Sequence, residues 1–211
     1  MDFKRQDLMN ITLSVFSKIN MKKILILGFI ILSAISCKAQ TIVPVEKMGD
    51  YIDAGDGIPE NTYLKDVNNL LAKYVGTWKG SYQDKNYILF ISKTTSKYGT
   101  ITSDKLLMRY LITSSNGALI SSTQNLSDNS PYIIEGSYFG KDLAVYALDF
   151  SGNNSMCGNA GTVFIRMKNV ANTLLSFGFE PDKIMISEDT CPGLKPAELT
   201  FPKDGLMLIK Q

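Results

Sequence analysis

The sequence predicts an all-β protein, an up-and-down antiparallel meander of about eight to ten strands that closes into a barrel, preceded by one short helix. Three observations carry this reading. From Gly76 onward, short runs rich in Ile, Val, Tyr, Phe and Thr recur roughly every 10–15 residues with turn residues between them. Several runs alternate apolar and polar side chains with a period of two, as half-buried strands do. The links are tight, Asn116-Gly117 above all, and such links join antiparallel neighbours. A meander this long curls and closes, because an open sheet leaves unpaired edges.

In chain order, residues 1–36 read as a signal peptide. Lys22-Lys23 precedes an apolar run from Ile24 to Leu32 that Ser33, Ala34 and Ile35 extend. About 12 residues is too short for a bilayer core, which needs ~20, and suits the apolar region of an export signal. Met21-Lys22-Lys23 is itself a good signal start, so Met21 is the expected initiator, with a long leader before the signal as the alternative. Two cleavage readings stand side by side. Ala34-Ile35-Ser36-Cys37 is similar to the lipobox of bacterial lipoproteins, in which the cysteine is acylated and becomes the new N-terminus; the usual Leu three residues before it is Ala here. Alternatively, signal peptidase cuts after Ala39. The expected location is the cell envelope with Cys37 as lipid anchor, in the outer membrane of a diderm bacterium, or secretion if the cut follows Ala39.

Residues 37–61 read as a flexible tether, since Gly49, Gly55, Gly57, Pro44 and Pro59 interrupt them without periodicity. The remainder, 62–211, is the barrel domain. Thr62 to Tyr74 opens it as the short helix, with Leu64, Val67, Leu70, Leu71 and Tyr74 at spacings of three and four. The expected strands are about 76–83, 86–94, 104–114, 118–123, 132–139, 142–150, 162–168, 173–180, 183–188 and 205–210. Within them Tyr132, Ile134, Gly136 and Tyr138 share one face, and Val163, Ile165 and Met167 oppose Arg166 and Lys168.

At Gly76-Thr77-Trp78 the order of elements resembles the calycin architecture of lipocalins and fatty-acid-binding proteins. The resemblance implies a lipocalin-like barrel in which Trp78 closes one end and a late basic side chain, Arg166 or Lys210, packs across the indole. The layout as a whole also resembles secreted or lipid-anchored proteins of Bacteroidetes-type bacteria that form families of unknown function. The shared features are Ser36-Cys37-Lys38-Ala39-Gln40, Gly76-Thr77-Trp78-Lys79-Gly80 and a final strand ending in Lys210-Gln211.

Composition narrows the chemistry. The 211 residues contain no histidine, which removes the usual general base, the usual metal ligand and every Ser-His or Cys-His pair. Formal net charge is +2, but residues 1–36 hold five basic and two acidic side chains, so the rest of the chain stands at −1. No field favours nucleic acid. Cys157 and Cys191 form an even pair in an exported chain and read as a disulfide; the ~35-residue loop it closes would contribute very roughly 3–4 kcal/mol. No catalytic set, metal site or cofactor is expected. Glu135 and Asp149 read as solvated strand positions.

The leading expectation is a non-enzymatic, monomeric envelope protein that touches the membrane through its anchor alone and binds a small hydrophobic ligand in its barrel. Trp78, Tyr82, Tyr132, Tyr138 and Phe177 are the lining candidates, with Leu175 and Phe179 beside Phe177. The alternative is a filled barrel whose loops, stapled by Cys157–Cys191, bind a protein partner.

Overall fold

A computed structural model describes residues 40–211, and the segment read as a signal peptide, with Cys37, lies outside the described residues. Eleven strands form one sheet: β1 Thr41–Pro44, β2 Thr62–Lys65, β3 Gly76–Tyr82, β4 Lys85–Tyr98, β5 Ile101–Ser114, β6 Leu119–Ser122, β7 Ile134–Phe139, β8 Val145–Ser151, β9 Ala160–Met167, β10 Leu174–Pro181 and β11 Leu206–Lys210. Eight of them close a barrel in chain order. β3, β4 and β5 pair in sequence, β7 to β11 pair in sequence, and the two series join where Leu107 and Met108 of β5 face Glu135 and Ile134 of β7 and where Ile209 and Lys210 of β11 face Lys79 and Trp78 of β3. All eight neighbours are antiparallel. Among the described residues one α-helix, α1 Met48–Ala54, precedes them. No helix among the described residues is long and apolar enough to cross a membrane.

The alternation read from the sequence decides which side chains face inward. Val163 and Ile165 of β9 and Leu175, Phe177 and Phe179 of β10 are buried, while Arg166 points out. On these two strands hydrophobic burial falls on one side of the wall, and the interior is a single apolar core.

Four expectations are corrected. Thr62–Tyr74 is not a helix: Thr62–Lys65 pairs with β5 as a parallel strand, and only Ala72–Tyr74 makes a 3-10 turn. The cause is Asp66, whose carboxylate accepts the backbone N–H groups of Leu70 (2.7 Å) and Leu71 (3.3 Å), bonding that competes with a helical ladder. The short helix stands earlier, at α1, within what reads as a tether. There β1 adds to the free edge of β2, and Val45 is buried in the core. Residues 183–188 form no strand, because β9 begins at Ala160 and leaves nothing to pair beyond the Asp182 N–H to Ala160 C=O bond. Finally, a bulge between Gly136 and Tyr138 shifts the register of β7. Phe139 takes the inward place that period-two alternation gives to Tyr138. Gly136 sits where a Cβ would collide with the Tyr146 hydroxyl and the Leu106 amide, so only glycine fits.

Candidate functional site

The barrel has two unlike ends. At one, Trp78 is fully buried and its indole N–H donates to the Tyr74 carbonyl at 2.8 Å. The Lys210 ammonium lies 5.3 Å from the indole centroid, a cation–π contact made possible because Lys210 and Trp78 are direct cross-strand partners. Gly76 adopts a φ of 137° against the Lys210 side chain. Arg166 takes no part; it donates to Asp142 Oδ2 at 3.3 Å on the outer surface. Lys210 is the basic partner that closes this end.

The other end is the mouth, ringed by the β3–β4 turn, the segment 115–133, the β8–β9 turn and the long connection 182–205. That connection folds over the opening and inserts Phe201, which is buried. Its ring centroid lies 4.8 Å from Phe177, 5.2 Å from Tyr110 and from Phe150, 6.1 Å from Phe179 and 6.4 Å from Tyr87. All five of these contacts are edge-on or tilted, the geometry that the ring quadrupole favours. Burial raises the hydroxyl pKa of Tyr87 and of Tyr110 above the ordinary value, so both stay neutral.

Side-chain attachments at four points hold this lid. The Cys157–Cys191 disulfide joins it to the β8–β9 turn, with a Cα–Cα distance of 5.2 Å. Asn159 bonds Thr200 twice, its Nδ2 donating to the hydroxyl and its Oδ1 accepting the backbone N–H, each at 3.0 Å. Lys85 pairs with Glu198 at 3.0 Å, and the Tyr82 hydroxyl donates to Asp204 at 2.5 Å. Two surface clefts flank the lid where Glu198 and Leu199 cross the rim, one reaching Ile120, the other Tyr82 and Gln83.

The residues expected to line a cavity fare unequally. Trp78 and Phe177 are core, at opposite ends of the barrel. Tyr82 is half-buried at the rim, and Tyr138 is half-buried after the bulge. Tyr132 lies before β7 and is 41% exposed. Phe201, Tyr110, Tyr87 and Phe150 form the mouth cluster and were not among the candidates. Tyr87, Tyr110 and Phe150 sit on inward strand positions, whereas Phe201 is a lone aromatic in a turn-rich stretch that offers no period to read.

Buried charge concentrates elsewhere, under β2. Asp66 and Asp104 share Lys93, whose ammonium stands 2.8 Å from Asp66 Oδ2 and 3.9 Å from Asp104 Oδ2. Asp104 also accepts from Tyr63, Thr95 and the Asp66 N–H. Burial opposes ionisation of Asp104, but these donors outweigh it and hold its carboxyl below the usual range. Every carboxylate oxygen has a donor, so the network is a fastening between β2, β4 and β5. Glu135 and Asp149 are cross-strand partners; Lys105 bonds Glu135, and burial raises the Asp149 carboxyl above its ordinary value. No group of three His, Cys, Asp or Glu side chains converges to hold a metal among the described residues.

Residues 21–211 match the family described as a family of unknown function, DUF6705. The chain belongs to that family. No curated protein and no solved structure matches it. In this DUF6705 chain the match starts at Met21, so it takes in Cys37, the barrel and the stapled lid.

Proposed function

We propose that this DUF6705 protein is a non-enzymatic cell-envelope scaffold, exported through its N-terminal signal, anchored by acylated Cys37, and that its mouth loops bind a protein partner. The observation that carries the choice between ligand and partner is Phe201. It occupies the mouth of the barrel among five aromatic rings, the place a small hydrophobic ligand would need. A filled interior supports a barrel that presents loops, because binding residues on loops are positioned by a rigid scaffold that supplies the stability. The lid is fixed to the rim at four points, which lowers the entropy cost of presenting one surface. Met156 and Leu194, close in sequence to the stapled cysteines, and Met185 on the lid leave apolar side chains exposed. The start of the family match at Met21 supports reading Met21-Lys22-Lys23 as the beginning of the signal.

The test is photocrosslinking in cells from Met156 and Leu194. A specific adduct that disappears in the folded Cys157→Ser/Cys191→Ser double variant is the expected result. No specific adduct from either position refutes the partner reading, and an unchanged adduct in the folded double variant refutes the dependence of that binding on the staple. Uptake of a fluorescent apolar probe by the wild-type protein would instead favour a ligand in the barrel.

A further inference from the structure

We propose that the tip of the β4–β5 hairpin, with Tyr98 at its apex, seats in the bilayer interface beside the lipid anchor and turns the barrel mouth away from the membrane. This rests on the reading of Cys37 as acylated. The argument begins with where the described chain starts. The Gln40 side-chain amide donates to the Thr102 hydroxyl at 2.9 Å and to the Thr62 carbonyl at 3.3 Å, and the Thr41 N–H bonds the Asn61 carbonyl at 2.9 Å. Thr102 stands directly across from Lys97 in the hairpin, and Tyr98 pairs with Ile101 at its tip. Three peptide links separate Cys37 from Gln40, a reach of at most about 10 Å. An acyl pair at Cys37 therefore holds this edge of the sheet at the bilayer surface, with too little chain between them for a spacer.

The side chains at that edge suit the place. Tyr98 is 89% exposed at the hairpin apex, Ile42 on the edge strand β1 is 57% exposed, and Lys97, next to Tyr98 in the hairpin, is also exposed. A tyrosine has an apolar ring and a polar tip, the combination that sits at the headgroup level, and a lysine next to it suits the anionic lipid surface. Among the described residues Lys97 makes no ion pair. Orientation follows from the topology. β4 runs from the mouth at Lys85 to the hairpin tip at Tyr98, 14 residues, or about 40 Å at the usual rise per residue. The lid and its disulfide lie at the far end of that strand.

The test uses the full gene product, matured in cells and reconstituted into vesicles of phosphatidylethanolamine and phosphatidylglycerol. Spin labels are placed in turn at Tyr98→Cys and Met185→Cys, both highly exposed positions, with the native pair bridged and Cys37 acylated. Mass spectrometry of the N-terminus accompanies the measurement. The expected result is loss of collisions with an aqueous nickel chelate, and gain of collisions with oxygen, at 98 and not at 185. An acylated protein whose label at 98 is as open to nickel as the one at 185 overturns the docking and leaves the anchor standing. A mature chain that begins at Gln40 without lipid overturns both.

Discussion

Removing the Phe201 ring tests whether the barrel is closed by its own chain. Phe201 is buried against Phe177, Tyr110, Phe150, Phe179 and Tyr87. A buried Phe→Ala change ordinarily costs about 3–5 kcal/mol, the sum of lost transfer energy and of the cavity left behind. The lid is irregular and sits on the surface, so it relaxes more than a strand would, and the low end, about 3 kcal/mol, is the expectation for Phe201→Ala. The five partners belong to β4, β5, β8 and β10, whose ladders hold them in place, so the space should persist as an aromatic-lined hollow. Urea unfolding followed by the buried Trp78 reads the stability, and an apolar fluorescent probe reads the hollow. A midpoint drop with probe uptake is expected from Phe201→Ala, and a smaller drop with no uptake from Phe201→Leu. A loss under about 1 kcal/mol without uptake, no more than an average point mutation, would refute the claim that Phe201 fills the mouth.

Other consequences follow from the same contacts. Lys93→Met leaves buried Asp66 and Asp104 without their shared cation and should cost about 3 kcal/mol in denaturant unfolding, the low end for a broken buried pair because the hydroxyl and amide donors remain. The folded-state pKa of Asp104 lies below its unfolded value, so its contribution is complete above the ordinary carboxyl range and is lost as pH falls through the folded pKa. Asp104→Asn should therefore flatten the acid limb of the stability–pH curve, which thermal melts across acidic pH would read. Lys210→Met removes the cation over the indole and should cost about 0.5–2 kcal/mol with a shift in Trp78 emission, whereas Arg166→Met should leave that emission unchanged. Gly136→Ala drives a Cβ into Tyr146 and Leu106 and should destabilise by about 1–3 kcal/mol in the same unfolding assay.

The legible parts of this fold are those whose signal is local. β9 and β10 alternate cleanly, and Val163, Ile165, Phe177 and Phe179 are buried as the pattern requires. The Asn116-Gly117 turn supplies its positive φ from Gly117, at 86°. What the sequence hides depends on distant partners. Leu64, Leu71 and Tyr74 are buried as a helical stripe would be, but they reach the core from a strand and a turn because β5 offers an edge and Asp66 takes the amides. The bulge in β7 has no marker beyond a glycine, so Phe139 rather than Tyr138 faces inward. Choosing Lys210 over Arg166 requires the register of β11 on β3, set across more than 130 residues of chain.

The two ends of the barrel divide stability from presentation by physical means. At the Trp78 end the closing contacts are cross-strand ones within the ladder: the indole and Lys210 oppose each other in β3 and β11, so opening that end means breaking the barrel. At the mouth, closure comes from a connection that pairs with almost no strand and is held by a disulfide, side-chain bonds and one aromatic ring. Each of those can be released without disturbing the eight-stranded ladder. The lid is therefore the segment whose shape can vary while the barrel stays intact. Reduction of Cys157–Cys191 separates the two: hydrogen exchange should rise in 182–205 and stay low in β3, β9 and β10. A uniform rise across those strands would show instead that lid and barrel unfold as one unit.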